Sequence, residues 1–249
     1  MLSDAFTDTG ADGFALRDSL EWHDPDIDCT LVVSSPQADR ALWSEYATGA
    51  LRSYRKHGVE CALDFEALRS GADTVMFFAV VDAAGRTVAG LRAIVPLRSA
   101  EDSHALVEWA GQPGQRLVRN TINDRVPFGV LEMKSAWATD DPDRSHRITG
   151  AMARSAFHMM ALLDNQFCMA TAAAYALNRW RSSGGVVSAI PATPDPSERY
   201  QTKMMWWDRH DFVNHAKPEQ VSKILTETQL LTRRFSTQSA SHPRASTAT

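Results

Sequence analysis

Apolar residues along this chain recur with two different periods, one typical of strands and one typical of helices. Segments of the two kinds follow one another along the chain, which predicts a mixed α/β fold. Short segments dominated by apolar and β-branched side chains predict strands, because such side chains pack well on a pleated sheet. The clearest pair flanks the turn sequence Asp82-Ala-Ala-Gly85 and predicts a hairpin. Trp206 and Trp207 are adjacent on the last strand, so we expect their rings on opposite faces. The predicted strands cover residues 27–33, 74–81, 87–95, 129–138, 167–173, 186–190 and 203–207.

Apolar residues spaced by three and four positions predict the helices. The clearest stripe runs from Ile148 to Leu163. Residues 96–127 are interrupted by Gln112-Pro-Gly114 and show no sustained period, which predicts an insertion on the substrate side of the domain. The other predicted helices cover residues 37–57, 64–69, 175–183 and 219–234.

Composition separates an expected core domain from two ends. Residues 1–26 are acidic and lack a period, so they predict a loose N-terminal arm. Residues 27–209 contain the strands and form the expected domain, and residues 210–235 form a helical extension. Residues 236–249 are rich in Ser, Thr and Ala and predict a disordered tail.

Charge and hydropathy exclude several classes of function. The formal net charge is -4 and the sequence pI is about 6.1, whereas a nucleic-acid-binding surface needs a basic face, so no nucleic-acid partner is expected. The longest apolar run, Val75 to Val81, is far shorter than the roughly 20 residues of a membrane span. The acidic first thirty residues lack the pattern of a secretory signal, and we expect a cytoplasmic protein.

The potential metal ligands are scattered along the sequence. Cys29, Cys61 and Cys168 are separate singletons, so reduced thiols are expected in place of a zinc site or a disulfide framework. The Asp and His residues between 208 and 215 have ligand-capable side chains, but their spacing matches no metal motif. We expect no metal cofactor.

The order of predicted elements resembles that of the GNAT (GCN5-related N-acetyltransferase) acyltransferases over roughly residues 27–209. A hairpin, a strand interrupted by charge, a long helix, another strand, a short helix ending in Gly and a last strand pair follow one another in that family's order. The resemblance implies a mixed, mostly antiparallel central sheet flanked by helices, with a splayed central strand pair. It also implies transfer of an acyl group from an acyl thioester to a small-molecule amine.

A motif before the clearest helix carries the resemblance further. In the family, Gln/Arg-x-x-Gly-x-Gly/Ala binds the pyrophosphate of acyl-CoA or the phosphopantetheine of an acyl carrier protein. Arg147 and Gly150 match this pattern, whereas Met152 stands at the position of the small final residue. A helix start offers free N–H groups and a positive dipole end to an anion. The predicted donor site comprises Arg144, Arg147, Ile148, Thr149, Gly150 and Ala151. The alternative is an ordinary helix start with a solvated basic face.

Glu132 lies in the middle of a predicted strand, where the resemblance places an acidic general base. An amine must lose a proton before it attacks a thioester, and a carboxylate with a raised pKa accepts one. The alternative is a pairing of Glu132 with Lys134 on the same strand face. The family's Tyr, which protonates the departing thiolate from four residues before Gly, is replaced by Trp180 ahead of Gly184.

A looser resemblance concerns the acyl-homoserine-lactone synthases and N-acyl amino acid synthases. It depends on residues 131–137 and on a predicted helix rich in Tyr and Arg between Tyr46 and Arg55. It implies an acyl carrier protein as a possible donor and an N-acyl amino acid or autoinducer-type product. Five Met and three Phe residues suit a long acyl tunnel or an ordinary core, so long and short acyl groups both stay open.

Two other functions remain open from the sequence. Met152 and Trp180 depart from the family pattern, which is compatible with a catalytically inactive GNAT-fold binding or scaffold protein. The other alternative is an unrelated α/β domain, and the absence of a splayed central strand pair would favour it.

Overall fold

A computed structural model describes residues 16–240, apart from the side chains of residues 142, 143, 239 and 240. The strands in this part of the chain form one sheet. They are Leu20–Asp24 (β1), Cys29–Ser34 (β2), Thr74–Asp82 (β3), Thr87–Ile94 (β4), Val130–Ala138 (β5), Phe167–Ala173 (β6), Val186–Val187 (β7), Thr193–Pro194 (β8) and Gln201–Asp208 (β9).

The α-helices cover the two faces of this sheet. They are Arg40–Lys56 (α1), Phe65–Ser70 (α2), Ala105–Glu108 (α3), Gln115–Asn123 (α4), Pro142–Leu162 (α5), Leu177–Arg181 (α6) and Pro218–Ala240 (α7). Asp39 and Asp64 cap α1 and α2, since their carboxylates accept from the N–H groups of Leu42 and Ala67. None of the helices within residues 16–240 is long and apolar enough to cross a bilayer.

The sheet is mostly antiparallel, with one parallel pair at its centre. Its order is β1-β2-β3-β4-β5-β6-β9-β7, and β8 pairs with β9. Only β5 and β6 run parallel in the described sheet, because α5 connects them as a crossover helix. The predicted fold class, a GNAT-type mixed sheet flanked by helices, is confirmed.

The parallel pair opens part-way along its length. Residues 130–133 of β5 pair with residues 167–170 of β6, and the pairing then stops. Beyond that point β5 remains paired with β4, and residues 171–173 of β6 remain paired with β9. Ser135 has φ 53° and lies where the β4–β5 register shifts by one residue, so a β-bulge bends β5 at the opening. The two inner strand edges therefore face each other across a gap.

Side chains of alternating direction build a core on each face of the sheet. One face packs against α5 and α7, and the other packs against α1 and α2 at one end and α3 and α4 at the other. Trp207 belongs to the first face and Trp206 to the second, which confirms the expected placement of their rings. Helix α1 approaches closely because Gly49 leaves room for the Trp137 ring.

A buried ionic network fastens α7 to the rest of the domain. The Arg154 guanidinium on α5 donates to Asp24 of β1 (2.5 Å) and to Glu227 of α7 (2.9 Å), and His158 Nε2 lies 3.0 Å from the same Glu227 oxygen. Burial pushes the pKa of Glu227 upward, but the bond to His158 and the charges of His158 and Arg154 outweigh it, so that pKa is lowered overall. The network stabilises the ionised carboxylate.

Three predicted boundaries are wrong: the end of the N-terminal arm, the start of the C-terminal tail and the start of the long helix. Residues 20–24 were expected in a loose arm, yet they form β1 because Leu20, Trp22 and Asp24 alternate inward. The tail was expected from residue 236, but α7 continues to Ala240. The first helical turn of α5 begins at Pro142, well before the predicted stripe, because a Pro suits the first position of a helix.

Other expectations concern the insertion and the ends. Residues 96–127 contain α3 and α4, and the strand predicted at 186–190 shortens to β7. Residues 1–15 and 241–249 lie outside the described residues, so the arm and tail predictions are not tested there. The division of the chain into domains stays a prediction.

Glu227→Gln is expected to lower the free energy of unfolding by about 1.5 to 3 kcal/mol, because it removes one of the two carboxylates that pair with the buried Arg154 and the one that contacts His158. Urea unfolding measures this, with the exposed Thr226→Ala as a control that stays within about 0.5 kcal/mol. Since the folded-state pKa of Glu227 is lowered, its stabilisation is present above the unfolded pKa and disappears as pH falls through the folded pKa. A difference between the two proteins that grows in acid would contradict this account.

Candidate functional site

The gap between β5 and β6 opens into a cleft of about 580 Å³. Its strand walls are residues 133–140 of β5 and the loop that follows, and residues 170–173 of β6. The end of α1 and the loop before β9 close it from one side, where the Tyr200 hydroxyl donates to the His57 carbonyl at 3.0 Å. The cleft crosses the sheet, because its wall includes side chains from both faces.

Glu108, which is not among the predicted site residues, lies in the wall of this cleft. Its Oε1 accepts a hydrogen bond from Thr171 Oγ1 at 2.9 Å and from Lys134 Nζ at 3.4 Å. Its Oε2 is buried and has no hydrogen-bond donor within the described part of the chain. The side chain is only 7% exposed. A nearly buried carboxylate with one unused acceptor atom therefore borders the cleft.

The insertion is fixed to the sheet around Glu108. Glu132 Oε2 accepts from the His104 N–H at 3.0 Å, at the start of α3. Thr193 Oγ1 donates to the Glu108 carbonyl, and Trp109 Nε1 donates to the Pro191 carbonyl, both at 2.9 Å. Helix α3 is only one turn long, and a helix so short is not stable by itself. These contacts with β5 and β8 therefore hold it in position.

Glu132 is placed differently from the prediction. Its side chain is completely buried and does not line the cleft. Burial is the main reason why its pKa is raised, and the charge of Glu108 raises it further against the lowering by Lys134. Its Oε1 lies 3.9 Å from Lys134 Nζ, so the predicted alternative, a pairing with Lys134, describes the structure better than direct contact with an acceptor. A catalytic role for Glu132 stays a prediction.

Two further titratable groups line the cleft beside Glu108. Burial, and then the charge of Lys134, lowers the pKa of His104 to about 4, so its imidazole is neutral at pH 7. Burial, and then the charge of Glu108, raises the pKa of Asp195. No set of three or more His, Cys, Asp or Glu side chains within residues 16–240 is arranged to hold a metal ion.

The predicted donor segment lies inside α5. Because the helix begins at Pro142, residues 148–151 are in its second and third turns, and their N–H groups bond to carbonyls one turn earlier. Ile148, Thr149 and Ala151 are buried, and Thr149 Oγ1 donates to the Ser145 carbonyl at 2.7 Å. The expectation of free N–H groups around Gly150 is therefore wrong, and Thr149 alone of these four residues lines the cleft.

Arg144 and Arg147 do not form a clamp over the cleft. Arg147 is exposed and donates to the Asp26 carbonyl at 3.1 Å, and it lines a groove outside the cleft together with Arg144. Arg144 is half-buried and lines a groove of about 850 Å³ beside the end of α1. That groove contains Arg52 and Lys56 and shares wall residues 137–140 with the cleft, so Arg144 borders a basic continuation of it.

Trp180, which stands at the position of the family's Tyr, lies in the cleft wall. Trp180 of α6 lines the cleft and packs edge-on against Trp207, with 6.3 Å between ring centroids. Tyr175 and Tyr200 also line the cleft, and Tyr175 is largely exposed. An indole cannot protonate a thiolate, so any proton donor to a leaving thiolate comes from another group or from water.

Relatives occur in mycobacteria. Mycobacterium tuberculosis (strain H37Rv) Rv1356c and Mycobacterium bovis Mb1391c are each 57% identical to this chain over 209 residues, which is 84% of this chain and 80% of theirs. The chain belongs to their family. Both relatives are named uncharacterized proteins, so membership of the family assigns no activity. No sequence model of a protein family matches the chain.

Several solved structures share the architecture at low identity. FeeM, an N-acyl amino acid synthase from uncultured soil microbes, has a TM-score of 0.47 and 10% identity, covering 80% of this chain and 93% of its own. BjaI, a CoA-dependent acyl-homoserine lactone synthase, has a TM-score of 0.48 and 12% identity, covering 79% and 88%. Similarity at this level of identity gives no information about the activity of this chain. The fold is established by the strand order of its own sheet.

Gly150→Ala is expected to raise the free energy of unfolding by about 0.5 to 1 kcal/mol, because Gly weakens a helix interior and a Cβ at this position meets only Gln220, at 3.5 Å. Gly49→Ala is the contrasting variant, since its Cβ would lie 2.0 Å from the Trp137 ring, and we expect a loss of about 1 to 3 kcal/mol. Urea unfolding compares them. Loss of donor binding by a fully folded Gly150→Ala protein would restore the predicted role of this Gly.

Proposed function

We propose that this protein is an N-acyltransferase that moves an acyl group from an acyl thioester to an amine. The separation of β5 and β6 is the observation that supports this most strongly. The pantetheine arm of CoA or of an acyl carrier protein is linear and contains amides. Such an arm pairs with an exposed strand edge as an added strand does, and here two inner edges border the same cleft.

The two faces of the cleft suit the two substrates. Apolar side chains line the face that packs on α5, and they give an acyl group a dry environment: Leu91, Met133, Met152, Met205 and Trp207. Glu108, Lys134 and Asp195 line the opposite face, where a polar acceptor is better accommodated. Donor and acceptor then meet at the opening of the strand pair.

Glu108 is the candidate general base. An ammonium group of the acceptor gives a proton to the Glu108 carboxylate, and the freed nitrogen lone pair attacks the thioester carbonyl carbon. The nitrogen then loses its second proton to water as the tetrahedral intermediate collapses and the carbon–sulfur bond breaks. The departing thiolate takes up that proton, so the products are an amide and a free thiol, and Glu108 releases its own proton to solvent. N–H groups on the inner edge of β5 beyond Met133 are suited to stabilise the oxyanion.

The basic groove beside the cleft suits the phosphates of the donor. It begins at the shared wall residues 137–140 and contains Arg52, Lys56 and Arg144. Lys56 pairs with Asp140 at 2.7 Å, which leaves Arg144 and Arg52 as the cations with no carboxylate partner in the described structure. This proposal keeps the predicted contact at Arg144 and omits the one at Gly150, and it applies to acyl-CoA and to the phosphopantetheine of an acyl carrier protein.

Glu108→Gln is expected to lower kcat by about 10² to 10⁴, the usual contribution of a general base, while the cleft keeps its shape. Release of free CoA from acetyl-CoA and octanoyl-CoA in the presence of a primary amine measures it. Glu101→Gln is the matched control, because Glu101 is an exposed carboxylate whose partner is Arg119. Equal rates for the two variants would remove Glu108 from the chemistry, whereas donor binding without CoA release by the wild type would favour a binding protein.

Arg144→Ala is expected to raise KM for acetyl-CoA about tenfold, since a charge-assisted contact with phosphate contributes roughly 1.5 to 3 kcal/mol at most. With acetyl-N-acetylcysteamine, a thioester without phosphate, the same substitution should change KM little. Arg147→Ala is the matched control, because Arg147 lies outside the basic groove. A rise in KM for both donors would contradict a phosphate contact and indicate a disturbed cleft.

A further inference from the structure

The end of the cleft where we place the acceptor, lined by Glu108 and Asp195, contains more carboxylate side chains than cationic ones. Glu108 and Asp195 both line it, and Lys134 is the nearby cation. Lys134 Nζ lies 3.4 Å from Glu108 and 3.9 Å from Glu132, so its charge is already shared by two carboxylates. The other cation in the cleft wall, Arg179, is exposed on α6, whose apolar residues pack on the donor face.

The neighbouring polar groups add no positive charge. The imidazole of His104 is neutral at pH 7, and its Nε2 lies 3.9 Å from Glu108 Oε1. Arg92 is buried behind the wall and paired with Asp73 at 2.5 Å. An anionic group entering this end of the cleft therefore meets two carboxylates and no unshared cation.

Each of the two carboxylates at this end has an oxygen that accepts no hydrogen bond from the described residues. Glu108 Oε2 is buried without a hydrogen-bond donor, an arrangement that is costly until a donor arrives. Within the described structure, the Asp195 carboxylate likewise accepts no hydrogen bond, although its backbone is fixed by bonds to Thr193, Tyr200 and Thr202. An ammonium group has three N–H donors and a positive charge, which both carboxylates can use together.

We infer that the acceptor is an aliphatic amine without a carboxylate beside its nitrogen, bound as its ammonium ion between Glu108 and Asp195. This inference rests on the proposed function and narrows it. An α-amino acid is disfavoured, because its carboxylate lies two bonds from the nitrogen and would enter the acidic end with it. The N-acyl amino acid product that the looser resemblance implies would then not be the preferred one.

Pairs of acceptors, each an amino acid and the amine that lacks its α-carboxylate, test the inference directly. Pentylamine differs from norleucine, and butylamine from norvaline, only by the α-carboxylate. With acetyl-CoA or octanoyl-CoA as donor, we expect kcat/KM at pH 7.5 to be at least about tenfold higher for each amine than for its amino acid, because like charges placed together are costly in a partly buried site. Equal values, or a preference for the amino acids, would overturn the inference and leave the transferase proposal intact.

Asp195→Asn supplies the structural control. It removes one carboxylate without touching the proposed base, so the ratio within each pair should fall about threefold or more. Asp164→Asn, at an exposed carboxylate that does not line the cleft, should leave the ratio unchanged. An unchanged ratio in Asp195→Asn would remove Asp195 from acceptor binding and contradict the inference.

A binding measurement separates the two proposals. Pentylamine and norleucine are titrated by calorimetry into the wild type and Asp195→Asn without donor. One outcome is that no acceptor is acylated, yet pentylamine binds the wild type more tightly than norleucine does and binds Asp195→Asn more weakly than it binds the wild type. That result would support the ammonium site and contradict the transferase proposal. If neither compound binds and neither is acylated, both proposals fail.

Discussion

The site depends on the early end of the pairing between β5 and β6. Parallel strands at the centre of a sheet normally stay paired along their length, because unpaired backbone groups in a protein interior are costly. Here each strand keeps its outer partner, β4 or β9, while a bulge at Ser135 bends β5 away. Two strand edges are thereby left with backbone groups that a linear amide-containing ligand can satisfy. The gap also connects the two faces of the sheet.

The buried carboxyl group of Glu132 connects β5 to the insertion that contains α3. Its carboxylate binds the first N–H of the α3 turn and lies near Lys134, which in turn contacts Glu108. Charge in a dry interior is expensive unless it is paired, so these groups hold one another in a narrow range of positions. The strand thus determines where the short helix α3 places Glu108, although α3 comes from a distant part of the sequence.

The sequence predicted the sheet well because strand and helix periods are local. The hairpin, the charged strand, the long helix and the opposed pair Trp206 and Trp207 all follow from spacing alone. It failed where tertiary contact decides. Residues 105–108 show only a weak helical pattern and become helical through contacts with Glu132 and β8, so Glu108 carried no local signal of a functional site. A carboxylate between apolar residues Val107 and Trp109 was the one available hint.

The start of α5 was misjudged for a related reason. The apolar stripe begins at Ile148 because only from there does the helix pack on the sheet, whereas its first turns lie over the edge of the core. A hydrophobic period reports burial, and burial can begin later than the helix does. The matched Arg and Gly therefore shared a spacing with the family motif but not its position at the free end of the helix. The first turn of α5, Arg144 and the basic groove still lie together beside the opening of the sheet. The proposed phosphate contact at Arg144 is therefore one to two turns earlier in the helix than the motif suggested.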